Sequence, residues 1–336
     1  DLTYLMPSDF LQLFTGKFTP LYLAPQAGVS ESPFRRLCRS YGADVVVSEF
    51  VSATGIVMGS PRSREYLRFD SEEHPIGIQI FGADPGMMAD AAAFVAETYG
   101  PDFIDINFGC PVKKVVKRNG GSGCLRDLDL VASIIRAVDR ATSLPTTVKI
   151  RSGFNEESRD PVGIALKCQD AGARVLCIHP RSRADMYKGK ARWSEIRAVV
   201  EALDIPVLGN GDISCAQDAY RMRDETGCAG IMIARGSHGD PWIFREARAV
   251  LDGKPSPPPP DLAERLNICL EHAGNAIAFG GDPQRAILDF RKHLGWYTKG
   301  LPDGRELRTK LFRTTSLSDV KALLENYLQT YTGVHS

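Results

Sequence analysis

Residues 103–109 read FIDINFG, and the alternation inside that stretch decides the fold. Ile104, Ile106 and Phe108 share a face suited to packing beneath helices, while Asp105 and Asn107 point the other way. The stretch 146–152, TTVKIRS, repeats the pattern: Val148 and Ile150 pack outward, and Lys149 and Arg151 point inward. Six further β-branched runs surround these two: PLYLAPQ (20–26), VVVSEFV (45–51), IGIQIFG (76–82), RVLCIHP (174–180), PVLGNG (206–211) and GIMIAR (230–235). Eight runs, each followed by a helical stretch, predict an α/β fold, a closed parallel TIM (β/α)8 barrel. A doubly wound open sheet is the rival, and eight regular units exceed its usual strand count.

The helices between the strands announce their ends. Asp84-Pro85 opens one as an N-cap followed by a first-turn proline, and Gly100 stops it. Asp160-Pro161 and Gly172 bracket another. Helices are also expected over Ser194 to Leu203, Ser214 to Thr226 and Asp240 to Leu251. Beyond residue 253 the pattern changes. KPSPPPP (254–260) is a polyproline-like spacer, and 262–331 reads as helical throughout. The expected organisation is therefore a barrel over 1–253, a proline-rich linker over 254–260 and a small all-helical unit over 261–336.

Composition narrows the function classes. Lys plus Arg and Asp plus Glu both number 41 in 336 residues, so a polyanionic partner has to meet a local patch. No apolar run approaches the ~20 residues of a membrane helix, and no secretory leader is read at the start. Eight cysteines without a CxxC pair fit reduced thiols, so neither disulfides nor a metal site are expected, and the cytoplasm is the expected compartment.

The inward positions concentrate polarity at one rim. Gln79, Asn107, Lys149, Arg151, His179, Asn210 and Asp212 all fall near the C-terminal ends of their strands. Gln79 or His179 alone reads as readily as a satisfied structural group, and Lys149 is harder to dismiss; together, on five strands, they read as a site. Gly209-Asn210-Gly211-Asp212 and Ala234-Arg235-Gly236 form turns after strands seven and eight, where barrels seat phosphate. Cys110 follows the fourth strand, with Cys124 as a local competitor. Between them KKVVKRNGGSGC (113–124) reads as a basic, glycine-rich loop able to move.

These residues resemble the flavin-dependent tRNA-dihydrouridine synthases, especially the bacterial B-type branch. The matching stretches are APQAGVSESPFR (24–35), QIFGADP (79–85), DINFGCP (105–111), VKIRSG (148–153), IHPR (178–181), NGDI (210–213), ARGSHGDPWIF (234–244) and RKHLGWYTKGLP (291–302). The resemblance implies a barrel binding FMN tightly, NADPH as reductant, and a helical tRNA-binding unit. It implies hydride delivery to C6 of a uracil base and a proton to C5 from Cys110. By the same resemblance the flavin contacts fall on Pro25, Gln26, Ala27, Gln79, Lys149, His179, Asn210, Gly211, Asp212, Ala234 and Arg235. Asn107, Arg151, Arg181, Arg291 and Lys292 are carried over as substrate contacts. The chain departs from the family at Gln26, usually methionine, at Ala234, usually glycine, and in the sequence GGSGCL of the rim loop.

The expected partner is tRNA, with no DNA and no membrane, and the expected state is a monomer. Between Arg285 and Arg313 eight Lys/Arg face three Asp/Glu, and Trp296 and Tyr297 lie among them as candidates for stacking on bases. The alternative reading is an FMN-dependent barrel oxidoreductase acting on a small molecule, of the dihydroorotate dehydrogenase or ene-reductase kind.

Overall fold

The computed structural model describes residues 7–333, so the outermost residues of both expected units lie outside it. Every one of the eight runs forms a strand, and the second forms two: β1 (Leu21–Leu23), β2 (Val45–Val47), β3 (Val51–Ser52), β4 (Ile76–Phe81), β5 (Phe103–Phe108), β6 (Thr146–Arg151), β7 (Val175–His179), β8 (Val207–Asn210) and β9 (Gly230–Ile233). All pairings are parallel, and β2 pairs with both β1 and β4, which closes the barrel. Residues 48–50 break the second run. There Ser48 Oγ accepts the Gln79 N–H at 3.0 Å, in place of a ladder carbonyl, and Glu49 accepts the N–H of Gly28. β3 then continues the run along β4 alone.

The alternation read in the sequence sorts into two packing layers. Ile104, Ile106, Phe108, Val148 and Ile150 belong to the cluster between strands and helices, all fully buried. Inside the barrel lie Tyr22, Val45, Val47, Phe103, Val175, Cys177, Leu208 and Met232. Phe10, from the short helix Pro7–Phe14, plugs the N-terminal end by stacking on Phe103 at 4.3 Å. A full barrel floor forces any ligand to the opposite rim.

Asp84 and Asp160 cap their helices through the N–H groups of Met87 and Gly163, and Gly100 ends the first in the left-handed region at φ 62°. Ser214 does not start the next-to-last barrel helix, which runs over Ala216–Thr226; its N–H and hydroxyl instead take the Asp218 carboxylate at 2.9 and 2.7 Å. The closing helix begins at Ile243, three residues after Asp240.

Residues 254–260 form neither helix nor strand, and four helices follow: Leu262–Gly280, Pro283–Tyr297, Gly304–Leu311 and Leu317–Thr332. Their core is small, and it is completed by Trp242 from the barrel side, buried with its indole N–H donating to Glu264 at 2.7 Å. Among the described residues no helix is long and apolar enough to cross a membrane.

Candidate active site

A cleft of about 1130 Å³ opens at the C-terminal rim of the barrel. Fourteen of the seventeen residues expected at the site line it, Arg181, Arg291 and Lys292 being the exceptions. Its floor is one hydrogen-bonded chain. The buried Asp105 carboxylate accepts from Gln79 Nε2 and Thr147 Oγ1, both at 2.5 Å, and Gln79 Oε1 accepts from Asn107 Nδ2 at 2.8 Å. Burial pushes the Asp105 carboxyl up, against those hydrogen bonds. Each amide is thereby fixed in orientation, because a carboxylate accepts only.

Asn107 passes that order to the thiol. Its Oδ1 accepts the N–H groups of Gly109 at 3.0 Å and Cys110 at 2.8 Å. Behind Cys110 the rim segment is packed rather than loose, with helices over Lys113–Val116 and Gly121–Arg126. Ser122 N–H and Oγ both donate to the Cys110 carbonyl, at 3.1 and 2.7 Å. Gly121 sits at φ 56°, and a Cβ there would meet the Cys110 oxygen at 3.0 Å. The segment braces the thiol. Burial raises the Cys110 thiol above its ordinary value. Cys124 is turned away instead, fully buried, donating to the Asn119 carbonyl at 2.9 Å and pushed up to about 12 by burial.

Lys149 extends from the floor with a neutral partner, donating to Asn210 Oδ1 at 3.0 Å, while Asn210 Nδ2 donates to the Met232 carbonyl. No carboxylate lies within ion-pair distance of this ammonium among the described residues, and burial lowers its pKa. A buried cation without a counter-ion is costly, which makes the cleft receptive to an anion. Next to it Gly211 (φ 115°) and Asp212 (φ 58°) take consecutive positive-φ conformations, and their N–H groups have no acceptor among the described residues. A Cβ at position 211 would lie 2.8 Å from the His179 ring, so only glycine lets the turn approach.

Arg181 lies beneath that turn and does not line the cleft. It is 2% exposed and donates to His179 Nε2 at 3.1 Å, Lys188 O at 3.1 Å, Gly189 O at 2.6 Å and Asp212 Oδ2 at 2.8 Å. Because a guanidinium only donates, His179 Nε2 is the accepting nitrogen and the ring is neutral with its proton on Nδ1. Burial, then the nearby Lys149, Arg151 and other arginines, holds His179 well below its ordinary value. Burial raises the Asp212 carboxyl, but the hydrogen bonds from Arg181 and the Ala191 N–H outweigh it and the net direction is down. Arg151 is likewise spent on carbonyls of Gly109, Ser182 and Met186, although its edge reaches the cleft. Arg235 is half exposed at the mouth, 3.5 Å from Asp212.

Two lining groups, Tyr187 and His238, were not read from the sequence, and a third, Trp296, was expected only as a base-stacking candidate of the helical unit. Tyr187, in the loop after β7, lies beneath the guanidinium groups of both Arg151 and Arg235, at 5.5 and 4.9 Å from its ring centre. His238 Nε2 contacts Gln26 Oε1 at 2.6 Å, leaving Gln26 Nε2 buried without an acceptor. Trp296, from the Pro283–Tyr297 helix, stacks on His238 at 4.0 Å and so reaches the cleft from the helical unit. Its neighbour Tyr297 is fully buried in the helical core, which removes it as a stacking surface. Arg291 donates to the Thr314 carbonyl at 3.1 Å, and the Lys292 ammonium lies beside Gly28 in the first barrel loop; neither lines the cleft.

Comparison with known proteins matches residues 22–332 to the family described as dihydrouridine synthase. The tRNA-dihydrouridine synthase B of Pseudomonas aeruginosa is 43% identical over 293 residues, covering 87% of this chain and 88% of that protein. The tRNA-dihydrouridine synthase B of Pseudomonas putida is 40% identical over 91% of this chain and 89% of its own. Among solved structures, a 2-naphthoyl-CoA reductase shares the fold at a TM-score of 0.52 and 12% identity, over 70% of this chain and 50% of that one.

Proposed function

The chain belongs to the dihydrouridine synthase family, and from that premise we propose that it reduces the C5–C6 double bond of uridines in tRNA, with FMN as its bound cofactor and NADPH as reductant. The observation that carries the reading is a buried thiol and an ammonium with no carboxylate in ion-pair distance, both lining one cleft.

The residues present fit FMN. The Lys149 ammonium suits the electron-rich pyrimidine edge of the ring, and the orphaned Gln26 Nε2 offers a buried donor to the same ligand. The free N–H groups of Gly211 and Asp212, with Arg235 at the mouth, suit its phosphate. Gln79, His179, Asn210, Pro25, Ala27 and Ala234 complete the walls. When bound, FMN supplies the hydride that reaches C6 of the base.

The chain's own residues then hold the base and supply the proton. Asn107 fixes the backbone of Cys110 through two N–H groups, and Ser122 fixes its carbonyl, so the thiol is held in one place. Burial keeps the thiol protonated at neutral pH, and that proton goes to C5. A uracil inside folded tRNA has to leave its stack to reach the cleft, at a cost of a few kcal/mol. The basic helices of 261–336 offset that cost by gripping the tRNA body, Arg291 and Lys292 included, and Trp296 links them to the cleft. The protein acts as a cytoplasmic monomer.

The test uses the FMN-loaded chain, NADPH and unmodified tRNA transcript, with mass spectrometry of the digested nucleosides. Dihydrouridine is expected. Cys110→Ala is expected to lower its formation by about 10²–10⁴-fold with FMN affinity unchanged. A chain whose FMN is reduced by NADPH yet leaves every tRNA unmodified would transfer the case to a small-molecule reductase.

A further inference from the structure

Where the barrel meets the helical unit, three side chains converge away from the cleft. Glu31, at the N-terminus of the barrel helix Ser32–Ser40, meets His272 of Leu262–Gly280 and His293 of Pro283–Tyr297. The two imidazoles are 1% and 0% exposed, so no bulk water reaches them. Their hydrogen bonding is incomplete: His272 Nε2 and both nitrogens of His293 have no partner. Buried orphan nitrogens are rare in folded proteins and mark a missing proton donor, water or ion.

The spacing identifies which. Glu31 Oε1 lies 3.3 Å from His293 Nε2 and 3.5 Å from His272 Nε2, too poorly aligned for hydrogen bonds. Two ligands sharing a tetrahedral zinc ion, each at about 2.0–2.1 Å, stand about 3.3 Å apart. The three donor atoms all lie within 4.8 Å of one another, so one ion could reach all three. Tyr297 Oη is 3.2 Å from His272 Nδ1, the outer-sphere contact that orients a metal-bound imidazole. Phe34 stacks on the His272 ring at 5.3 Å and Phe290 on that of His293 at 5.0 Å, which excludes competing solvent from the cluster. Glu31 keeps 24% exposure and gives an ion its route in and a water its place as fourth ligand.

We propose that Glu31, His272 and His293 form a binding site for a divalent zinc-class cation that clasps the helical unit to the barrel. None of the three lines the cleft, so the ion lies apart from the proposed redox chemistry. Cysteine and histidine spacing gave no hint of it, because the ligands come from distant segments and no two lie in a short motif.

The test is made on the full chain, purified without a polyhistidine tag or chelator. Elemental analysis and titration with Zn²⁺ against a chromophoric chelator measure stoichiometry and affinity, and Co²⁺ loading reports geometry by visible d–d absorption. One ion per chain is expected, with a thermal midpoint that falls on chelation and recovers on adding Zn²⁺. Glu31→Gln and His293→Gln are each expected to weaken binding by more than about a hundredfold. Should either variant fail to fold, the chelation and recovery of the unmodified chain decides alone. A metal-free chain whose midpoint and Co²⁺ spectrum ignore excess ion overturns the site, as does binding that survives both substitutions. Neither outcome touches the proposed reaction.

Discussion

Replacing Arg181 by methionine separates two roles that the resemblance and the geometry assign differently. As a substrate contact, its loss would weaken tRNA binding and leave the fold intact. The structure instead gives the guanidinium four acceptors beneath the Gly211–Asp212 turn: His179 Nε2, two loop carbonyls and the Asp212 carboxylate. Methionine fills most of the volume but donates nothing. The carbonyls of Lys188 and Gly189 sit in an exposed loop and regain water, so their share is small. Asp212 keeps the Ala191 N–H at 2.7 Å and Arg235 at 3.5 Å, which softens the loss of its main partner. Breaking a buried charge pair typically costs about 3–5 kcal/mol, and the partial compensation points to the lower end, about 3 kcal/mol. For a barrel of this size that is a fall in thermal midpoint of roughly 6–12 °C. FMN affinity should fall with it, since the turn loses its brace, while the affinity of the folded variant for unmodified tRNA stays within about threefold of the parent. Scanning calorimetry and fluorescence anisotropy measure the two. A variant as stable as the parent that has lost tRNA binding tenfold would refute the structural role.

Glu49 makes stability depend on pH. Burial, helped by repulsion from Glu31, pushes its carboxyl from 4.5 up to about 7, against the N–H of Gly28. The folded chain therefore holds that proton more tightly than the unfolded chain, so stability falls as pH rises through about 4.5 to 7 and stays low above. Glu49→Gln should remove this fall and stabilise the protein at pH 8 by up to about 3 kcal/mol; a parent midpoint that declines no faster than the variant's counts against it. Gly121→Ala forces a side chain at φ 56° against the Cys110 carbonyl and Cβ, and is expected to slow dihydrouridine formation by about tenfold or more with FMN still bound. Unchanged turnover would mean that the brace behind the thiol is dispensable. Gly239→Ala meets the Trp296 backbone at 2.6 Å with φ 67°, and should cost about 2–4 kcal/mol at the seam between barrel and helices, read by denaturant unfolding. A cost below about 0.5 kcal/mol would show that the seam yields.

The barrel was legible because parallel strands covered on both faces write themselves as short apolar runs, and Asp105, Asn107 and Lys149 broke those runs only on inward positions. Helix ends followed where a side chain caps its own helix, as Asp84 and Asp160 do. They failed where the cap residue had a better partner: Ser214 is taken by Asp218 and leaves the helix to begin two residues later. The break at residues 48–50 was hidden for the same reason. VVVSEFV has the composition of one strand, and only contacts distant in sequence show the break: Ser48 keeps its N–H on the Gly77 carbonyl but offers Gln79 its hydroxyl in place of its carbonyl, and Glu49 takes the Gly28 N–H.

The site was legible to the extent that a residue's role is set by its position along a strand. Inward and near the C-terminal end suffices for Gln79, Asn107, Lys149 and Asn210, because the barrel leaves those side chains one direction to point. It does not suffice for Arg181, which follows the inward His179 and yet turns beneath the rim, drawn by Asp212 and two carbonyls. Nor does it reach Gln26, His238 and Trp296, three residues from the first loop, the last turn and the helical unit. Gln26 replaces a residue that is usually methionine in the family, and a thioether could not accept the hydrogen bond His238 offers as well as an amide oxygen does. The departure therefore has a structural reason: it ties the wall of the cofactor cleft, through His238, to an indole carried by the helices proposed to grip tRNA. A change in how those helices sit has a direct path of contact to the cleft wall, and that path runs through the residue at which this chain leaves its family.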